Sequence, residues 1–175
     1  MRERDGIPVV ETERLRMRGH RVADFEECAA MWAEPEVVRY TTGKAQTREE
    51  VWARLLRYLG HWAVLGFGYW VVEEKATGRF VGELGFVDWK RDMEPSIEGM
   101  AEMGWVLAPW SHGKGYATEA ALAAIGWGEK HLGGVKVVCM IDPANNASIR
   151  VAGKIGFREY ARTSYKGLPT ILFGR

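Results

Sequence analysis

The chain lacks most of the features that mark secreted, membrane-bound or nucleic-acid-binding proteins. It has only two cysteines, Cys28 and Cys139, which lie far apart and outside any Cys-x-x-Cys pattern, so neither a disulfide framework nor a zinc site is expected. No apolar run approaches the ~20 residues that span a bilayer. The net charge is only +1 and the basic residues are scattered, which is not the pattern of a nucleic-acid-binding surface. We therefore expect no metal, no membrane and no nucleic-acid partner.

What is present indicates one folded domain. The 175 residues are 47% hydrophobic, which is enough to bury a core. The first ten residues, MRERDGIPVV, are charged, and no apolar segment of signal-peptide length follows them. No linker, repeat or low-complexity segment divides the chain. We expect a single domain over 1–175, located in the cytoplasm, as a monomer or a homodimer.

The hydrophobic pattern predicts a mixed α/β domain with the order β-α-α-β-β-β-α-β-α-β-β. Alternation of apolar residues with arginines predicts a strand over 12–18. The segments GYWVVEE and GRFVGELGFVDW predict two strands joined by a turn at KATG, and GMAEMGWVLAP predicts a third. The run VKVVCMI predicts a buried strand, and FREYART and TILFG predict the closing pair.

Capping residues indicate where the helices begin. Asp24 and Glu27 have capping-box spacing, and so do Thr47 and Glu50. Residues 115–131 form the longest helix candidate and are followed by a glycine pair. The segment NNASIRVAGKIG predicts a short helix with asparagine at its start and glycine at its end.

The stretch GWVLAPWSHGKGYATEA, residues 104–120, places two glycines around a lysine where a strand leads into a helix. Helix-start N–H groups attract anions, and Gly113 and Gly115 would let an anion approach them. A tight turn that needs glycine explains the same residues equally well. The stretch is not a Walker A loop, because Gly115 rather than Ser or Thr follows Lys114. It is not a Rossmann fingerprint, because Thr118 stands where Gly or Ala is needed.

The segment HGKGYA resembles the pyrophosphate loop, Gln/Arg-x-x-Gly-x-Gly/Ala, of the GNAT (Gcn5-related) N-acetyltransferases. EMGWVLAPWSHGKGYATEA, NNASIRVAGKIGF and ETERLRMRGHRVADFEECAAMWAEPEVVRY are similar to the RimJ/RimL-like branch of that family, in the right order over essentially the whole chain. The resemblance implies a central, mostly antiparallel sheet with flanking helices, in which the strand before the loop splays from the next strand and opens a V-shaped cleft. It also implies acetyl-CoA as acyl donor and a primary amine as acceptor.

The same resemblance implies a set of donor-binding residues. Main-chain groups of Trp105, Val106 and Leu107 are expected to bond the pantetheine amides. Asn145 is expected beside the pantetheine arm, although helix capping alone would also explain it. The pyrophosphate is expected on the loop residues Gly113, Lys114, Gly115, Tyr116, Ala117 and Thr118.

The sequence departs from the family pattern at several positions. His112 stands where Gln or Arg is usual, and we interpret it as a surface loop histidine. Many family members have a tyrosine seven residues after the asparagine that protonates the departing thiolate, but Ala152 occupies that position. The RimL-like branch instead has the serine of Asn-x-x-Ser, which matches Ser148. Ser148 is therefore the candidate proton donor, with a backbone hydrogen bond in the first helical turn as the alternative explanation.

A carboxylate is the usual type of base for making the acceptor amine neutral. Glu102 is the first candidate because it lies on the strand that enters the cleft, and Glu83 and Asp142 are rivals. An exposed strand carboxylate without function would explain Glu102 equally well. Some family members place a base at the position of Met140, which cannot accept a proton.

Three functions fit these residues. The first is acetylation of the α-amine of a peptide or protein N-terminus, as in RimJ/RimL-like enzymes. The second is acetylation of a small amine, such as an antibiotic, a polyamine or an amino acid. The third is a non-catalytic acetyl-CoA-binding module. Trp89 and Trp110, which periodicity does not explain, are interpreted as surface packing rather than acceptor contacts.

Overall fold

The computed structural model describes residues 6–175, and the chain forms an eight-stranded sheet with helices on both faces. The sheet order is β1-β2-β3-β4-β5-β6-β8-β7, and every neighbouring pair is antiparallel except β5 with β6. The strands are Val10–Glu11, Leu15–Arg18, Tyr69–Glu74, Phe80–Val87, Ala101–Leu107, Val137–Ile141, Arg158–Tyr165 and Leu168–Gly174. The helices α1–α5 are Phe25–Ala33, Pro35–Val38, Arg48–Leu65, Tyr116–His131 and Asn146–Lys154, with 3₁₀ turns at Val22–Asp24 and Pro109–Ser111.

This order confirms the predicted mixed α/β class with a mostly antiparallel sheet. Two short elements were not predicted, namely β1 at Val10–Glu11 and α2 at Pro35–Val38. Each has too few residues to show a hydrophobic period. The helix predicted over 115–131 is present as α4, but with 16 residues it is not the longest helix of residues 6–175, because α3 has 18.

Both capping-box pairs mark a helix start, because α1 and α3 begin directly after Asp24 and Thr47, but only Thr47 makes the capping hydrogen bonds. Thr47 accepts a hydrogen bond from the Glu50 amide, and the Glu50 carboxylate accepts one from the Thr47 amide. Asp24 does not cap α1. Its carboxylate accepts hydrogen bonds from the Arg18 guanidinium and from the main-chain N–H of Arg21, so it is engaged on the strand side of the helix start.

The two faces of the sheet bury different helices. On one face, α4 packs a stripe of small residues, including Ala120, Ala121 and Ala124, against β4 and β5. On the other face, α1 and α3 cover Val71 and Phe80. Small side chains on α4 allow the helix to lie close to the sheet, which places its N-terminus beside the end of β5.

Candidate active site

The parallel strands β5 and β6 pair only at their first residues and then separate. The paired positions are Ala101 with Val137 and Glu102 with Val138. Beyond them β5 pairs only with β4 and β6 only with β8. This separation opens a cleft of about 660 Å³, within the range of small-molecule sites. Because Met103 to Val106 and Cys139 to Asp142 line it, the cleft lies between the separated strands.

Strand alternation decides which main-chain groups of β5 face this opening. The amide of Ala108 bonds Val81 on β4, whereas the amide of Ala101 bonds Lys136 on the β6 side. Main-chain groups of odd-numbered residues in β5 therefore point toward β6, and those of even-numbered residues point toward β4. Trp105 and Leu107 consequently present theirs at the open edge. The expected main-chain contact from Val106 is not available there, because its groups face β4, but its side chain lines the cleft.

The glycine loop leads from β5 to the first turn of α4. Gly113 and Gly115 have φ of 74° and 79°, so both adopt the left-handed conformation that favours glycine. Gly115 is the N-cap residue of α4, and no side chain caps this helix. The tight turn and the uncapped amides therefore occur together, and the two explanations of this loop are compatible.

Cations and aromatic rings surround the loop. The Lys114 ammonium lies 4.5 Å from the centre of the Trp110 ring, and the Arg14 guanidinium donates to the Lys114 carbonyl at 3.0 Å. The indole N–H of Trp110 donates to the Phe80 carbonyl at 2.9 Å, and the Arg79 guanidinium lies 3.9 Å from its ring centre. Trp110 therefore packs beside the loop, as expected.

His112 is exposed and connects the loop to the end of β5. Its Nε2 donates to the Leu107 carbonyl at 2.8 Å, and its Nδ1 lies 3.7 Å from a Glu36 carboxylate oxygen. This agrees with a surface loop histidine. The bond also engages the carbonyl of Leu107, so the amide is the unengaged main-chain group of that residue.

Asn145, Ser148 and Trp105 meet where α5 approaches the cleft. The Asn145 side-chain oxygen accepts from the Ser148 amide at 3.1 Å, which is a helix N-cap. The Trp105 indole N–H donates to the Ser148 hydroxyl oxygen at 3.3 Å. A donated hydrogen bond leaves the hydroxyl proton of Ser148 free to point elsewhere. All three residues line the cleft.

Glu102 lines the cleft but is not a free carboxylate. Arg91 Nε and Nη2 lie 2.6 and 2.7 Å from its two oxygens, which is a bidentate ion pair. The Glu102 side chain is only 10% exposed. The pair engages both carboxylate oxygens. Arg91 therefore has to move before either oxygen of Glu102 can contact an acceptor amine.

The two rival carboxylates have different surroundings. Glu83 is fully buried and accepts hydrogen bonds from His20 at 2.9 Å and from Trp32 at 2.8 Å. Burial alone would raise the pKa of Glu83, but these hydrogen bonds and the His20 ring bring it below its usual value. Asp142 lines the cleft, accepts from the Ala144 amide at 2.7 Å and has no cationic partner among residues 6–175. Asp142 is thus the more accessible rival to Glu102.

His20, Cys28 and Glu83 also form the one cluster in the described residues with metal-ligand character, since their ligand atoms lie within 4.8 Å of one another. Burial raises the pKa of the Cys28 thiol well above its usual value. His20 Nε2 is already bonded to Glu83. The cluster therefore forms a hydrogen-bonded core, and it lies outside the cleft lining.

Sequence reasoning missed several residues that line the cleft on the α3 side. Tyr58 and Tyr69 stack with ring centres 4.5 Å apart, and burial raises the pKa of both phenols, so they stay protonated. Trp89 also lines the cleft, with the Arg57 guanidinium 4.9 Å from its ring centre. Tyr58 lies on the buried face of α3, and no local signal in the sequence shows that this face continues into a cleft.

Comparison with known proteins identifies the family. A family model described as "Acetyltransferase (GNAT) domain" matches residues 14–158. The chain belongs to the GNAT acetyltransferase family. Its similarity to the Bacillus subtilis (strain 168) protein YkkB, at 35% identity over 161 residues, covers 89% of this chain and 87% of that protein.

Solved structures show that the GNAT fold extends over nearly the whole chain. A putative GNAT-family acetyltransferase from Bordetella pertussis has a TM-score of 0.85 at 27% identity, covering 96% of this chain and 99% of that one. RimL, a ribosomal L7/L12 α-N-protein acetyltransferase in complex with coenzyme A, has a TM-score of 0.76 at 15% identity, covering 96% and 97%. At that identity, RimL supports the fold alone. No helix among residues 6–175 is long and apolar enough to cross a membrane.

Proposed function

We propose that this GNAT protein transfers the acetyl group of acetyl-CoA to the α-amine of a peptide or protein. The observation that carries the proposal is the open edge of β5, which runs from the strand separation to the uncapped N-terminus of α4. An extended polyamide arm that ends in a pyrophosphate matches this path, since a free strand edge offers main-chain hydrogen bonds and a helix start favours an anion.

The donor would be held mainly by main-chain groups. Trp105 and the amide of Leu107 would bond the pantetheine arm. The amides of 113–118 would receive the pyrophosphate, where Lys114 adds a positive charge. The side-chain oxygen of Asn145 caps α5, so the two N–H groups of that side-chain amide would donate hydrogen bonds to the pantetheine arm.

The surroundings of Glu102 favour an acceptor amine that needs little help in losing its proton. Arg91 engages both oxygens of Glu102, so that carboxylate gives a strongly basic amine little help. An α-amine has a pKa of ~8 and is partly neutral at pH 7, whereas a lysine side chain has a pKa of ~10.4. An α-amine therefore suits this site better than a lysine side chain.

The remaining step is departure of the thiol. Acetyl-CoA supplies an acetyl thioester, and the amine forms a C–N bond as the C–S bond breaks. Ser148 would donate a hydrogen bond to the leaving thiolate as negative charge forms on its sulfur. Glu102, or Asp142 in its place, would accept the proton that the amine loses, and that proton then passes to the thiolate to give the free thiol.

Thiol release from acetyl-CoA with a panel of amines tests this proposal. The panel contains peptides with free α-amines, the same peptides with blocked N-termini and a lysine side chain, and small amines such as a polyamine and an aminoglycoside. We expect release with the free peptides and almost none with the blocked ones. Faster release with polyamines or aminoglycosides would replace the peptide acceptor with a small amine. A rise in melting temperature with acetyl-CoA but no release with any amine would indicate a binding module without catalysis.

A further inference from the structure

Arg54 on α3 is a cation without an anionic partner in the wall of the cleft. Its guanidinium carbon lies 4.0 Å from the centre of the Trp32 ring, and Nη1 lies 3.5 Å from the Tyr58 hydroxyl. Its Nε is buried and makes no hydrogen bond. Arg54 forms no ion pair with any residue from 6 to 175. Nη2 makes no hydrogen bond to any residue from 6 to 175, and its N–H groups remain for a ligand in the cleft that Arg54 lines.

The balance of charges in the cleft also leaves a positive excess. The lining cations are Lys44, Arg54, Arg57, Arg91 and Lys166, and the lining carboxylates are Glu50, Glu102 and Asp142. Two of these carboxylates are already paired, Glu50 with Lys44 at 3.6 Å and Glu102 with Arg91. Three cations then face the single carboxylate of Asp142. Among the three, Arg54 alone combines partial burial with an unsatisfied N–H group in the described chain.

We propose that the acetyl acceptor carries a carboxylate close to its amine and that Arg54 binds this carboxylate. The inference rests on the proposed acetyl transfer and narrows its acceptor. An arginine fork matches the two oxygens of a carboxylate, and partial burial strengthens the bond. Packing against Trp32 holds the guanidinium in place, so little side-chain entropy is lost on binding. The α-carboxylate of an amino acid and an acidic side chain near a peptide N-terminus share this chemistry.

Matched acceptors test the proposal by changing only the charge. The first pair is Ser-Glu amide and Ser-Gln amide, whose α-amines are equivalent. The second pair is methionine and methioninamide, assayed near pH ~9.5 so that both amines are largely neutral while arginine remains charged. We expect kcat/KM to be ~10- to 100-fold higher for the acidic member of at least one pair. The pair that shows the preference distinguishes a peptide side chain from an amino-acid carboxylate.

Variants then assign the preference to Arg54. Arg54→Met keeps an unbranched apolar stem and removes the guanidinium and its charge, so the acid-to-amide ratio should fall to about 1. Arg54→Lys keeps a charge without the fork and should retain part of the ratio. Arg79→Met is the matched control, because Arg79 lies 3.9 Å over Trp110 and does not line the cleft. It should keep the full ratio.

Two results would overturn the proposal. One is a wild-type ratio at or below 1 in both pairs, and the other is an unchanged ratio in folded Arg54→Met. If the wild type acetylates none of these amines, the proposed function itself fails. In that case the affinities of the CoA-bound protein for N-acetylmethionine and N-acetylmethioninamide, measured by calorimetric titration, test whether Arg54 binds a carboxylate. If the wild type binds the acid more tightly than the amide and Arg54→Met loses this preference, the carboxylate site is supported. If the wild type binds both compounds equally, the carboxylate site is rejected.

Discussion

The indole N–H of Trp105 on β5 donates a hydrogen bond of 3.3 Å to the hydroxyl oxygen of Ser148 on α5. Trp105 and Ser148 are 43 positions apart in sequence. Both residues line the cleft between the diverging strands. Because the indole donates, the serine proton can be directed at another acceptor. This relationship supports the proposed role of Ser148 as a donor to a leaving thiolate.

Ser148→Ala should lower kcat by ~10²- to 10⁴-fold and leave CoA affinity nearly unchanged. The lost interaction matters mainly as charge forms on sulfur, so its cost belongs to the transition state. The loss should persist at high pH. Trp105→Phe is the control, because it removes the indole donor but keeps the hydroxyl, and it should cost less. A wild-type kcat in Ser148→Ala would reject the assignment.

Glu102→Gln should slow turnover near neutral pH and flatten the acid limb of the pH–rate profile. High pH should partly rescue this variant, since an amine with a pKa of ~8 then loses its proton unaided. Profiles of kcat from pH ~6 to ~9.5 test this for the wild type, Glu102→Gln and Asp142→Asn. If Asp142→Asn alone shows the flattened limb, Asp142 is the base and Glu102 serves to hold Arg91.

Gly115→Val should weaken CoA binding by ~10-fold or more. A φ of 79° disfavours a branched residue by roughly 1–2 kcal/mol, and a Cβ there would lie 3.6 Å from Arg14 Nη2 beside the loop. The matched control is Gly78→Val in the β3–β4 hairpin, where φ is 71° and a Cβ would meet nothing within 4 Å. It carries the same backbone strain and should bind CoA normally in calorimetric titration. Equal affinities in both folded variants would remove the loop from the donor site.

Asp24→Asn should destabilise the protein at neutral pH by about 1.5–3 kcal/mol, because it removes one of the two carboxylates, Asp24 and Glu73, that pair with the buried Arg18 guanidinium. Burial alone would raise the pKa of Asp24, but hydrogen bonds from Arg18 and Arg21, with the Arg18 charge, bring it below its usual value. The folded state therefore binds this proton less readily than the unfolded state.

The stability from Asp24 is consequently complete above pH ~4 and is lost as the pH falls through the lowered pKa. Urea unfolding of the wild type and Asp24→Asn should give curves that converge below pH ~4. Glu26→Gln, which alters the exposed ion pair with Arg48, is the control and should have little effect at any pH. A constant difference between wild type and Asp24→Asn at all pH values would contradict the pKa direction.

Local patterns predicted the elements that have a clear period or a clear cap. The capping box at Thr47 predicted α3. The asparagine before α5 and the glycine after it predicted that helix. The failure at Asp24 has a physical cause. An aspartate at a helix start can bond either the helix or a neighbouring strand, and Arg18 decided between them. The spacing of residues along the chain does not show that Arg18 competes for the Asp24 carboxylate.

The residues proposed to bind acetyl-CoA could also be predicted from local sequence. The strand, the glycine loop and the helix start are consecutive in sequence, so their residues could be chosen from one segment. The acceptor side was not, because it is assembled from α3, β3, β5 and the loop after β4. Arg54, Arg91 and the stacked tyrosines Tyr58 and Tyr69 resemble ordinary surface or core residues until these elements pack together.

By itself, the sequence determined the class of the fold, the family and the position of the glycine loop, because periodicity, caps and contiguous motifs depend on neighbours along the chain. Only the tertiary structure decided that Glu102 is paired with Arg91, that Val106 directs its main-chain groups toward β4, and that Arg54 lacks an anionic partner in the described chain. Each of these depends on strand register or on a residue distant in sequence. Pairing and burial are properties of the folded arrangement, and they set the charge that the cleft presents to its acceptor.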